Sequence, residues 1–268
     1  MLRSGGWYSA RVRKRVIALG LALSLCAGSV WSSDGRPEPQ PEAPAPLSRT
    51  TSQLLLVKAT AWNSTSGSLQ RYERRARTGE WTPVGEAIPV NLGRRGLAWG
   101  RGLHASPKAG PFKREGDGRS PAGVFELERA FGEADALPAD SHGFPYLPAL
   151  KTSYCVEDVR SEHYNQLVDS SQTKSPGWQR WSPLRRADGL FRWGVVVRQN
   201  APDTVVGSGS CVFLHIWRGP RQPTSGCTAM QPEHIEAVIR WLDPKAHPTL
   251  VQLPEPEYRA LKDAWALP

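Results

Sequence analysis

From Thr51 onward the apolar residues alternate with polar ones or gather in short runs, and turn residues punctuate them. The run QLLLVKATAW (53–62), a polar stretch ending at Gly67 and Ser68, and SLQRYERR (68–75) predict a β-hairpin. WTPVGEAIPVNLG (81–93) continues the meander. In KREGDGRSPAGVFEL (113–127) a tight Gly, Asp, Gly turn leads into another strand. RWGVVVRQN (192–200) and SCVFLHIW (210–217) read as two more strands. Helical spacing is rarer. From Gln231, QPEHIEAVIRWLD places Pro232 in a first turn and sets Ile235, Val238, Ile239 and Leu242 on one face, and EPEYRALKDAWAL (255–267) behaves similarly. Strand and helix do not alternate, so the pattern predicts a mainly β fold with a few helices around one mixed β core.

The first 50 residues follow other rules. MLRSGGWYSARVRKR carries five basic residues and no acid, VIALGLALSLCAG is a short apolar run, and small residues follow, which is the layout of a secretory signal peptide over residues 1–28. The expected location is therefore outside the cytoplasm, in the periplasm or cell envelope, with membrane contact only through an uncleaved signal. Residues 29–50 are rich in proline and read as an extended spacer, leaving 51–268 as the folded domain. The whole chain holds 34 Lys and Arg against 25 Asp and Glu. Without the signal 29 basic residues remain, so the charge excess is mostly a targeting feature and implies no nucleic-acid partner.

Export also constrains the cysteines. Without Cys26, an odd set of Cys155, Cys211 and Cys227 remains in an oxidising compartment. Three pairings are open, and the economical one joins Cys155 to Cys211 and leaves Cys227 free. Cys227 lies in a Ser, Gly, Thr loop, twelve residues after His215, which closes an apolar strand. In that strand a period of two puts Cys211, Phe213, His215 and Trp217 on one face. Gly219, Pro220 and Pro223 bend the intervening loop back, so thiol and imidazole can meet as nucleophile and base. Gly226 allows a close backbone approach, and amides around Ser225, Gly226 and Cys227 suit an oxyanion. Arg218 and Arg221 in the same loop suit a carboxylate. Asp158 suits an amine or a turn cap. No metal or other cofactor is expected, because the remaining histidines fall into no ligand spacing.

His215, followed after a spacer by Thr224, Ser225, Gly226 and Cys227, resembles the signature of the L,D-transpeptidase catalytic domain family. That signature is a histidine, a spacer, then Ser or Thr, His, Gly and Cys. DGRSPAGVF, from Asp117, resembles the family's Thr-Pro-x-Gly turn and strand. The chain departs from the pattern at Ser225, which replaces the second histidine, in a shorter spacer, and at Ala229, where Asn or Arg is frequent. The resemblance implies a β-sandwich or barrel core and a substrate drawn from peptidoglycan stem peptides. It also implies Cys227 as nucleophile, His215 as base, and Gly226 beside the oxyanion hole. The enzyme would release terminal D-Ala and pass the acyl group to a second stem peptide. Two alternatives remain: an L,D-carboxypeptidase or peptidoglycan amidase using the same cysteine with water, and a non-catalytic wall-binding module.

Overall fold

The run QLLLVKA forms β1 (Gln53–Ala59), buried at every position except Lys58. Burial on both faces suits an interior strand: antiparallel β2 (Ser66–Glu73) flanks β1 on one side and a parallel strand from the far end of the chain flanks it on the other. The computed structural model describes residues 46–75, 79–107, 109–173 and 177–268; the expected signal peptide and the spacer up to residue 45 lie outside them. Leu47 is buried in the core, so the last spacer residues belong to the folded part.

The meander continues through β3 (Thr82–Asn91) and β4 (Leu97–Trp99) to the long β5 (Ser120–Gly132). β6 (Tyr146–Pro148) pairs with the tail of β5. A separate three-stranded sheet follows, with β7 (Ser153–Val156) between β8 (Leu167–Asp169) and β9 (Trp181–Pro183). The chain then returns through β10 (Trp193–Val197), β11 (Phe213–Ile216) and β12 (Thr228–Met230). Helix α1 (Pro232–Trp241), strand β13 (Thr249–Pro254) and helix α2 (Glu255–Leu261) complete it.

Hydrogen bonding runs β10, β11, β12, β3, β2, β1, β13, β5 and back to β10, closing the main sheet on itself. The fold is thus mainly β, as the pattern predicts, and of the sandwich or barrel that the resemblance implies the core is barrel-like; closure removes the edges that an open sheet of this length would expose. Leu54, Leu56, Val124, Leu214 and Leu250 belong to its main apolar cluster, which α1 joins through Ile235, Val238 and Ile239. A smaller cluster under the β7–β9 sheet is built on Phe131, Phe191 and Phe213, packed edge to face with centroids 5.0–5.8 Å apart. Removing the Phe213 ring from this fully buried position would cost about 3–5 kcal/mol.

Three local expectations change. The strand expected from Ser210 begins only at Phe213, because Cys211 has φ 55° and interrupts the extended path. The C-terminal helix stops at Leu261. β13, in the run TLVQLP, goes unread in the sequence because a buried strand between parallel and antiparallel neighbours shows no alternation.

Candidate active site

β11 and β12 are parallel neighbours with Leu214 opposite Thr228 and His215 opposite Ala229. One step back along that register, Cys227 falls beside Phe213, two residues from His215 on the same face. Strand spacing and rise separate the two Cα atoms by about 8 Å, a gap that a thiol and an imidazole can bridge. The Phe213 amide donates to Cys227 Sγ at 3.4 Å, and Sγ donates in turn to the Cys211 carbonyl at 3.7 Å. No hydrogen bond joins Sγ to His215 in this resting arrangement.

The loop carrying the thiol is laced to the β3–β4 turn. Thr224 N donates to Leu92 O at 2.8 Å and Arg94 N donates to Thr224 O at 2.9 Å. The Cys227 carbonyl accepts from Thr224 Oγ1 at 2.6 Å and from Ser120 Oγ at 3.0 Å. Gly226 has φ 151°, and a Cβ there would meet the Arg119 carbonyl oxygen at 3.0 Å, so the position requires glycine. Its amide donates to Thr224 Oγ1 at 3.1 Å and is therefore engaged within the loop rather than free for an oxyanion.

His215 is buried, with its ring edge against Phe191 at 5.0 Å. Its Nδ1 lies 2.7 Å from the Ile216 carbonyl, which can only accept, so Nδ1 carries the hydrogen and Nε2 holds the lone pair of the neutral ring. Burial is the main reason the imidazole pKa falls to about 4, and it pushes the Cys227 thiol up to about 11. At neutral pH the pair rests as thiol and imidazole. Attack on a carbonyl carbon then requires the proton to move from sulfur to ring as the bond forms.

Both groups open onto a cavity of about 390 Å³ that also touches Ser225, Gly226 and Arg218. Cys155 and Cys211 form a disulfide, and Cys227 is the free cysteine among the described residues. Arg221 does not reach the cavity wall. Asp158 lies away from it, in a turn where Arg160 and the amides of Arg160 and Gln179 occupy its carboxylate. These bonds, led by the Arg160 side chain, hold the carboxyl well below the usual range, which fits a turn cap and not an amine receptor. Among the described residues no cluster of His, Cys, Asp and Glu could hold a metal ion.

Several wall residues escape sequence reasoning. Ser182 lies in β9, Glu157 directly follows β7 and Arg180 directly precedes β9, Arg186 and Phe191 come from the segment after that sheet, and Arg94 from the β3–β4 turn. Each is far from the Cys227 loop in sequence, and no local motif marks it. Arg186 pairs with Asp188 at 2.6 Å and lies over the Phe191 ring. By contrast, no carboxylate among the described residues pairs with Arg94, Arg180 or Arg218.

Residues 62–251 match the family model described as L,D-transpeptidase catalytic domain (YkuD). Neither the curated proteins nor the solved structures contain a match to the chain.

Proposed function

The chain belongs to the L,D-transpeptidase catalytic domain family, and from that premise we propose that it is an exported cysteine acyltransferase acting on peptidoglycan stem peptides. The observation that carries this reading is the pairing of Cys227 and His215 on one cavity, with the imidazole locked in the tautomer that leaves Nε2 free to take a proton.

Cys227 Sγ attacks the carbonyl carbon of the bond preceding the terminal D-Ala, and the thiol proton passes to His215 Nε2. The imidazolium returns that proton to the amine of D-Ala as the C–N bond breaks, leaving a thioester on Cys227. A second stem peptide's amine then attacks the thioester carbonyl and gives its proton to His215, and the imidazolium passes that proton to the sulfur as the C–S bond breaks, restoring the thiol. Arg94, Arg180 and Arg218, which pair with no carboxylate among the described residues, supply positive charge, beside Glu115 and Glu157 on the same wall, for a donor whose carboxylates flank the scissile bond. The expected signal peptide would deliver the domain to this substrate, outside the cytoplasmic membrane.

Incubation of the full chain with purified tetrapeptide donor and acceptor muropeptides, followed by mass spectrometry, tests the reading. Crosslinked dimers that vanish in Cys227→Ala are the expected result. Trimmed tripeptides without dimers would make the protein a hydrolase, and turnover that survives Cys227→Ala would remove the nucleophile assignment. Binding of muropeptides with no turnover by the parent would identify a wall-binding module.

A further inference from the structure

Ser120 is the first residue of β5 and is wholly buried. Its hydroxyl donates to the Cys227 carbonyl at 3.0 Å and accepts the Gly93 amide at 2.9 Å. From the other side, Thr224 Oγ1 donates to the same carbonyl at 2.6 Å and accepts the Gly226 amide at 3.1 Å. Two hydroxyls therefore converge on one oxygen, filling both of its lone pairs, and Ser120 is itself fixed by the Gly93 amide of the β3–β4 turn, Thr224 by the Gly226 amide of its own loop. We infer that Ser120 and Thr224 are positioning residues for the nucleophile, holding the Cys227 peptide plane so that Sγ faces His215 across the cavity.

The physical reason lies in the backbone. The peptide plane after Cys227 sets ψ of that residue, and ψ with the adjoining φ sets where Cβ points, the base from which χ1 carries Sγ. Cys227 sits one residue before β12, outside its ladder, in a loop that contains a glycine at φ 151°. Strand pairing alone does not fix it there, and the carbonyl clamp does. Ser120 also joins the two blocks that the sequence offers as separate signals, the SPAGVF strand and the TSGC loop.

This inference rests on Cys227 being the nucleophile, so its test carries a readout that needs no substrate. Ser120→Ala and Thr224→Val each remove one hydroxyl, while Ser120→Thr and Thr224→Ser keep it. In steady-state turnover of tetrapeptide donor, the hydroxyl-free variants are expected to lose about tenfold or more in kcat with KM little changed. The hydroxyl-keeping variants should recover most of that loss. Alkylation of Cys227 by iodoacetamide, in the same proteins without substrate, should quicken when either hydroxyl is removed, because the sulfur leaves its seat between the Phe213 amide and the Cys211 carbonyl. Unchanged kcat and unchanged alkylation in Ser120→Ala and Thr224→Val would overturn the positioning role, as would equal losses in the hydroxyl-keeping pair. If the parent forms no thioester, the functional reading falls and the alkylation rates alone decide the clamp.

Discussion

Cys155 of β7 is joined by a disulfide to Cys211, which lies two residues before β11. The bond fastens the three-stranded sheet to the approach of the strand that carries His215, and the Cys211 carbonyl accepts from the Cys227 thiol. Replacing both cysteines with alanine removes a cross-link spanning 56 residues and should cost about 2–4 kcal/mol of stability. A fall in Tm of several degrees together with lower kcat is expected. A double variant with unchanged Tm and kcat would show that packing alone holds the sheet in place.

Because burial raises the thiol pKa to about 11, Cys227 should alkylate slowly at neutral pH compared with a free cysteine. Its rate with iodoacetamide should climb steadily from pH 7 to beyond pH 10, as thiolate accumulates. A plateau reached by pH 7, read by mass spectrometry of the modified chain, would mean a preformed thiolate and imidazolium pair instead.

A base works only while neutral, and His215, the proposed base, has its pKa lowered to about 4. Acylation should therefore hold steady across neutral pH and fall as pH drops through about 4 to 5. His215→Ala should slow thioester formation by about a hundredfold or more, within the range ascribed to a positioned base. An acid limb centred near pH 6.5 would indicate that the ring titrates as if exposed.

His104 offers a stability test away from the cavity. It is buried against Trp99, Phe125 and Trp265, its Nδ1 accepts the Val124 amide at 3.1 Å, and burial lowers its pKa to about 4. The folded state thus prefers neutral His104 more than the unfolded state does. That stabilisation is complete above about pH 6.5 and lost as pH falls toward 4, for up to about 3 kcal/mol. His104→Gln should flatten the Tm profile between pH 7 and pH 4, and an equally steep profile would assign the acid sensitivity to other groups.

Arg218 lines the cavity and Arg221 does not. Arg218→Gln should raise KM for a carboxylate-bearing donor about tenfold, as expected for a lost charge-assisted contact. Arg221→Gln should leave KM unchanged. Asp158→Asn should lower Tm without altering KM, because its partners are Arg160 and nearby amides. Comparable KM changes in all three would mean that general charge, and not position, governs binding.

The sequence by itself determined the class of fold and singled out the candidate chemical pair. Short apolar runs such as QLLLV and VFLHIW, turn residues between strands, and the amphipathic spacing of QPEHIEAVIRWLD are local consequences of strand and helix geometry, so they can be read without a structure. Cys227 and His215 were legible because few residues separate them and because an odd thiol stands out in a chain whose first residues read as a secretory signal. The tertiary structure alone decided the rest. Closure of the barrel needs β10 against β5, and the parallel pairing of β1 with β13 joins the two ends of the domain. Neither leaves a local trace. The same holds for Ser120 on the Cys227 carbonyl, for Arg180 and Glu157 on the cavity wall, and for the placement of Asp158 outside it. Each is a contact between segments far apart in sequence, set by packing and register, and periodicity along the chain carries no information about which distant segments meet.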